Sequence, residues 1–201
     1  MMITALSNDV SKKREFWQRF ANKYQCDFNF GHTPHRDVNI LTLLCYYNNI
    51  NISFKESDAK PLICEFKIRT EKNIKIEVYK KSIFDRLSSI FHKKDNVYES
   101  SFLKTNKIKS NHNQILISLL KDKYLLNLLN KSEFFSLYAH TEKNFLKVNI
   151  TFTYFVNSYE KLIDTYSIAC KIIEHLKKHK IIRSKYYFTK TNSKFYLKFY
   201  I

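Results

Sequence analysis

The residues best suited to do chemistry stand at the end of the chain. Phe195, Leu197, Phe199 and Ile201 alternate with Lys194, Tyr196, Lys198 and Tyr200, and just before them Tyr186 and Phe188 alternate with Lys185 and Tyr187. A period of two on both sides of Thr191-Asn192-Ser193 predicts a terminal β-hairpin, apolar on one face and lysine- and tyrosine-bearing on the other. Exposed rings stack nucleic-acid bases for roughly 1 to 3 kcal/mol each while lysines follow the phosphates. The candidate binding residues are therefore Lys185, Tyr187, Lys194, Tyr196, Lys198 and Tyr200, with single-stranded nucleic acid as a candidate ligand. Cross-strand Tyr and Lys pairs also make an ordinary solvent face, or a contact with a protein partner or a second copy of the chain.

Other constellations have the right atoms but weak spacing. Asp58, Glu65 and Lys67 have the order of a metal-dependent nuclease, in which two carboxylates hold a magnesium ion and a lysine steadies the reacting phosphate; Glu65, Lys67 and Arg69 equally fit a charged outer strand face. Cys26, His32, His35 and Cys45 carry zinc-ligand atoms without a zinc-finger spacing. His175 and His179 stand four apart on a predicted helix, yet Leu176-Lys177-Lys178 between them lacks the glutamate of a zinc protease, and cations are favoured at a helix C-terminus in any case. With one glycine and no Gly-x-Ser-x-Gly elbow, there is no P-loop, dinucleotide fingerprint or serine-hydrolase signature. The expectation is a non-enzymatic protein without a cofactor or a metal.

The formal net charge of +17 favours acidic partners. Nearly all of it is lysine, in a chain of 201 residues rich in Asn, Ile, Phe and Tyr and poor in Gly and Pro, which is what an AT-rich gene encodes. Charge alone therefore does not single out a nucleic-acid binder, and base readout leans on arginine. The N-terminus has neither a basic n-region nor a long apolar run, and no stretch is apolar enough for a membrane span. Three of the four cysteines fall in apolar stretches, where free thiols pack as small hydrophobes. Disulfides are not expected, and the address read from these signals is cytoplasmic.

The elements that must position these residues follow from periodicity. Ser11 to Tyr24 predicts a helix with Phe16, Phe20 and Tyr24 on one stripe, and Asn29 to Asp37, holding the glycine and Pro34, predicts a loop. Strands are predicted over Val38 to Tyr47, Ile50 to Phe54, Leu62 to Ile68 and Ile74 to Val78, the first two joined by a turn at Asn48-Asn49. A short amphipathic helix follows at Ser82 to Phe91, then a strand at Val97 to Thr105 and helical segments from Asn111 to Leu129, broken near Lys121 to Lys123. Phe134 to His140 and Phe145 to Val156 predict a second hairpin. Asn157 and Glu160 open the longest helix, which runs to about His179.

The run Ser82-Ile83-Phe84-Asp85-Arg86-Leu87-Ser88-Ser89-Ile90-Phe91, followed by Tyr98, Phe102, Thr105 and Asn106 and then a leucine-rich helix, resembles a widespread class of uncharacterised bacterial proteins over residues 12–178. The resemblance implies a helix, a strand group, a linker helix and then a strand-helix-strand-strand-helix unit. It implies no activity, so no functional residue is carried over, and the terminal hairpin lies beyond it. The fold expected is α+β: antiparallel sheet packed against helices, with a C-terminal β-hairpin. One domain is expected, or two apposed halves over 1–95 and 96–201.

Overall fold

The computed structural model describes residues 2–33, 38–81, 102 and 105–182. Helix α1 (Met2–Tyr24) is followed by strands β1 (Asp27–Thr33), β2 (Val38–Tyr47), β3 (Ile50–Ser57), β4 (Lys60–Arg69), β5 (Lys75–Lys80) and β6 (Asn106–Ser110). Helices α2 (Asn113–Lys121) and α3 (Lys123–Lys131), the hairpin β7 (Phe134–Glu142) and β8 (Phe145–Phe152), and helix α4 (Tyr159–Lys178) complete the described chain. The fold is α+β, as expected. The eight strands of the described residues form one antiparallel sheet in the order β1-β2-β3-β4-β8-β7-β5-β6. The late hairpin β7–β8 thus inserts between β4 and β5, so strands from both parts of the chain interleave.

The alternation read from sequence decides which face is covered. Leu41, Leu43 and Cys45 of β2, Ile52 and Phe54 of β3, and Leu62, Cys64, Phe66 and Ile68 of β4 are buried on one face. Leu146, Val148, Ile150 and Phe152 of β8 continue it. Helices α1 and α4 close over this face through Trp17, Phe20, Tyr159, Leu162 and Ile173, and rings from helix and sheet meet at Phe54–Tyr166 and Trp17–Phe28. Each fully buried side chain of this kind stabilises the fold by about 1.5 to 3 kcal/mol. The opposite face carries no described helix and alternates polar, as an antiparallel sheet with one wet side does.

With a single glycine, the chain must turn on other residues. Asn48 and Asn49 take φ of 54° and 64°, and Lys143 and Asn144 take 47° and 66°, the left-handed pairs that two-residue hairpins need. Gln25 and Lys180 play the part usually given to glycine after a helix. Beyond each, the next amide reaches back to the helix, Cys26 N–H to Ala21 O at 2.9 Å and Ile181 N–H to Leu176 O at 3.0 Å.

Several expectations need correction. Helix α1 begins well before Ser11, and Asn29 to Thr33 form part of strand β1 rather than a loop: Phe28 and Phe30 pair with Leu43 and Leu41 and pack on the core. Of the stretch expected as a strand over Val97 to Thr105, Phe102 and Thr105 are helical and the rest lies outside the described residues; a strand, β6, runs from Asn106. The cap of α4 is Ser158, not Asn157. The Ser82 to Phe91 helix and the Lys185 to Ile201 hairpin lie outside the described residues.

The largest correction concerns the cysteines. Cys26 and Cys45 form a disulfide with Cα atoms 4.4 Å apart. The Asp27–Leu44 pairing, extended by one residue, sets the two directly opposite each other across β1 and β2, and a Cα separation near 4.5 Å is that of a non-hydrogen-bonded antiparallel pair. Cys64 and Cys170 remain free and buried. The part of the cytoplasmic reading that rested on free thiols therefore loses its support.

Candidate functional site

The uncovered face of the sheet has a lattice of side chains set by register. Four rows cross strands β4, β8, β7 and β5. The first is Ile63, Thr151, Ser136 and Tyr79; the second is Glu65, Asn149, Tyr138 and Glu77; the third is Lys67, Lys147, His140 and Lys75. Arg69, Phe145 and Glu142 make the fourth across the first three strands. Neighbouring strands lie about 4.8 Å apart and alternate residues about 7 Å apart along each strand, so the third row spans about 14 Å. Lys109 and Lys107 extend the lattice onto β6, opposite Glu77 and Tyr79.

The charges on this face are uneven. Lys67, Arg69, Lys75, Lys107, Lys109 and Lys147 stand against Glu65, Glu77 and Glu142. Glu142 is taken by Lys147, whose hydrogen bond holds that carboxyl below the usual range. Glu77 lies 3.1 Å from Lys75 and 3.9 Å from Lys109. Glu65 accepts from the Asn149 amide at 2.7 Å. Lys67 has no carboxylate partner among the described residues and sits directly opposite Lys147. Two aromatic rings flank the basic row, Tyr138 at 44% exposure on one side and Phe145 at 41% on the other.

The positions singled out from sequence fare differently. Lys185, Tyr187, Lys194, Tyr196, Lys198 and Tyr200 lie outside the described residues. Glu65 and Lys67 share the open face, but Asp58 sits at the β3–β4 turn, where it accepts from the Asn39 backbone at 3.0 Å and side chain at 2.8 Å. Five strand residues, about 17 Å, separate that turn from Glu65. The three do not converge on one ion. Cys26 and Cys45 bond to each other rather than to zinc, and His32 hydrogen-bonds Asn39 at 3.2 Å; His35 is outside the described residues.

His175 and His179 do not clasp a metal between them. His175 instead joins three helices: its Nδ1 meets Ser118 Oγ at 2.7 Å on α2, and its Nε2 meets Asp122 Oδ2 at 2.9 Å between α2 and α3. Asp122 also caps α3 by accepting from Leu125 N–H at 2.9 Å. Its desolvation pushes the carboxyl up, but the Leu125 amide and His175 outweigh that and hold it below its usual range. The residue types are those of a nucleophilic triad, which positions 118, 122 and 175 conceal in the sequence. Ser118 lies inside α2, however, where backbone amides are committed to the helix and cannot form an oxyanion hole. The arrangement works as a clasp.

A second buried polar group ties α1 to the sheet. Glu56, on the covered face of β3 and 1% exposed, forms an ion pair with Lys13 of α1 and accepts from Val156 N–H at 2.7 Å. Burial raises its carboxyl above the usual range against the pull of Lys13 and the Val156 amide. An apolar cavity of about 30 Å³ lies between β5 to β7 and helices α2 to α4, lined by Val78, Ile108, Leu116, Leu129 and Leu137. It offers no polar group to orient a ligand.

No helix among the described residues is long and apolar enough to cross a membrane. No group of three or more His, Cys, Asp or Glu side chains among them is placed to hold a metal ion. No family model matches the chain, and no curated protein matches it. The resemblance seen over residues 12–178 gains nothing from these comparisons. Among solved structures, the crystal structure of the mycobacterial trehalose monomycolate transport factor A, TtfA, is similar to this chain at 9% identity and a TM-score of 0.46, over 82% of this chain and 95% of that one. A likeness at that score carries no functional weight.

Proposed function

We propose that the protein is a non-enzymatic binding protein whose site is the open face of the sheet, and that the face takes an extended anionic polymer. The observation that carries the reading is the row Lys67, Lys147, His140 and Lys75 on four neighbouring strands. Lys147 and Lys75 are each paired with a glutamate, but Lys67 stands directly opposite Lys147 with no carboxylate partner among the described residues, a like-charge placement that destabilises a sheet and that the fold does not need for itself. Lysine from codon usage would scatter over the surface; here register gathers it into one line.

The test uses inorganic polyphosphate, a linear polyanion without bases, titrated across a salt series. Lys67→Ala/Lys75→Ala/Lys147→Ala is compared with Lys12→Ala/Lys121→Ala/Lys178→Ala, which removes equal charge from exposed helix positions. The face variant is expected to lose at least tenfold in affinity and to flatten the salt dependence by about two units of log–log slope. The helix variant is expected to change both much less. Equal weakening by the two variants would show that binding is a diffuse effect of net charge, and would overturn the reading.

A further inference from the structure

Resting on that reading of the face, we infer that its anionic polymer is single-stranded nucleic acid, with Tyr138 as the stacking platform and the basic row as the phosphate track. The lattice brings together the three things an unpaired nucleotide offers. Its phosphate, with those of its neighbours along the strand, meets the row of Lys67, Lys147 and Lys75, which runs perpendicular to the β-strands. One row away on β7, about 7 Å, Tyr138 presents a ring that is 44% exposed. Directly opposite Tyr138 is Asn149, and opposite Asn149 is Glu65. An amide and a carboxylate, already joined at 2.7 Å, offer donors and an acceptor to the edge of a base stacked on the neighbouring ring.

Other polyanions use less of this. An acidic peptide or polyphosphate needs the lysines but not an exposed phenol beside a hydrogen-bonding amide. A duplex keeps its bases stacked inside, so its rings cannot reach Tyr138, and only its backbone can meet the row. On the far side of the row Phe145, between Arg69 and Glu142, is a second exposed ring. Bases can therefore fall on either side of the phosphate line, a sequence-tolerant mode because every base has a flat face.

The experiment is fluorescence anisotropy on the full chain with four probes: a labelled thymine 12-mer, an abasic 12-mer of the same sugar-phosphate backbone, a 12-base-pair duplex and polyphosphate. Wild type is expected to bind the thymine strand 5- to 150-fold more tightly than the abasic strand, the range that stacking of one base supplies, and more tightly than the duplex. Tyr138→Ala should cut the preference over the abasic strand, and Tyr138→Ala/Phe145→Ala should abolish it, while polyphosphate binding stays unchanged; Tyr138→Phe should keep the preference. Tyr138 is exposed, so its removal does not threaten folding, which a thermal melt of each variant checks. Equal affinity for thymine and abasic strands, or a preference that Tyr138→Ala leaves undiminished, overturns this inference and leaves the anionic face standing. If the Lys67/Lys75/Lys147 variant also binds polyphosphate like wild type, the face itself is wrong.

Discussion

Breaking the Cys26–Cys45 bond should cost a calculable amount of stability, because the cross-link acts mainly on the unfolded chain. The two cysteines are 19 residues apart. Closing a loop of that length removes about 11 cal/mol/K from the unfolded ensemble, or about 3.3 kcal/mol at 25 °C. Nothing in the native packing adds greatly to this, since Cys26 is half-exposed beside the turn that ends α1 and β1 remains paired along Asp27 to Thr33 without it. For a chain of this size the loss corresponds to a melting point lower by about 7 to 13 °C. The assay is urea unfolding of wild type and of Cys26→Ala, each with and without a phosphine reductant, alongside alkylation of the unfolded protein. Wild type should expose two thiols without reductant, Cys64 and Cys170, and four with it; reductant should lower its stability by about 3 kcal/mol. Cys26→Ala should start near that lower value and ignore the reductant. Four reactive thiols without reductant would refute the bond. A loss under about 1 kcal/mol with cleavage confirmed would refute the chain-entropy reasoning.

Two further expectations concern the buried polar groups. Lys13→Ala leaves Glu56 in the core with the Val156 amide but without its ion-pair partner, which should cost about 3 to 5 kcal/mol at pH 7. Because Glu56 has a raised pKa in the native state, the native protein holds its proton more tightly than the unfolded chain. Stability from this group is thus fullest below the unfolded value of about 4.5 and falls as pH rises through the higher folded value. Urea midpoints from pH 4 to 8 should therefore show the Lys13→Ala deficit shrinking toward acid, and adding Glu56→Gln should remove most of its pH dependence. Asp122→Ala removes the cap of α3 and the partner of His175, and should cost about 1 to 3 kcal/mol. Asp122 has the opposite sign, with a depressed native pKa, so its contribution is present above about pH 4 and is lost as pH falls through the folded value. The gap between wild type and Asp122→Ala should close in acid; a gap that widens would refute the assignment.

What was legible in the sequence was local. The alternation in Ile50 to Phe54, Leu62 to Ile68 and Ile74 to Val78 marked β3, β4 and β5 because side chains of a strand point to opposite faces in turn. Asn48-Asn49 marked its hairpin because few residues other than glycine tolerate two left-handed positions in succession. The break at Asp122 was visible because a side-chain acceptor there ends one helix and starts the next. Strand β1 was misread because Gly31 and the turn residues after it outweighed Phe28 and Phe30, whose burial depends on a partner strand.

What tertiary structure alone decided was which distant residues became neighbours. Lys67, Lys75, His140 and Lys147 are unremarkable as a list; they form a row because β8 and β7 insert between β4 and β5. That insertion buries Leu146, Val148 and Ile150 in the core that the sheet shares with the helices, a property of the assembled fold that no window of sequence contains. Cys26 meets Cys45, Ser118 meets His175 and Lys13 meets Glu56 for the same reason. Sequence determined the period, the turns and the polarity of each face, because those depend on backbone geometry within a few residues. Register between strands far apart in the chain is chosen by packing across the whole sheet, and it is register that makes the open face a candidate site.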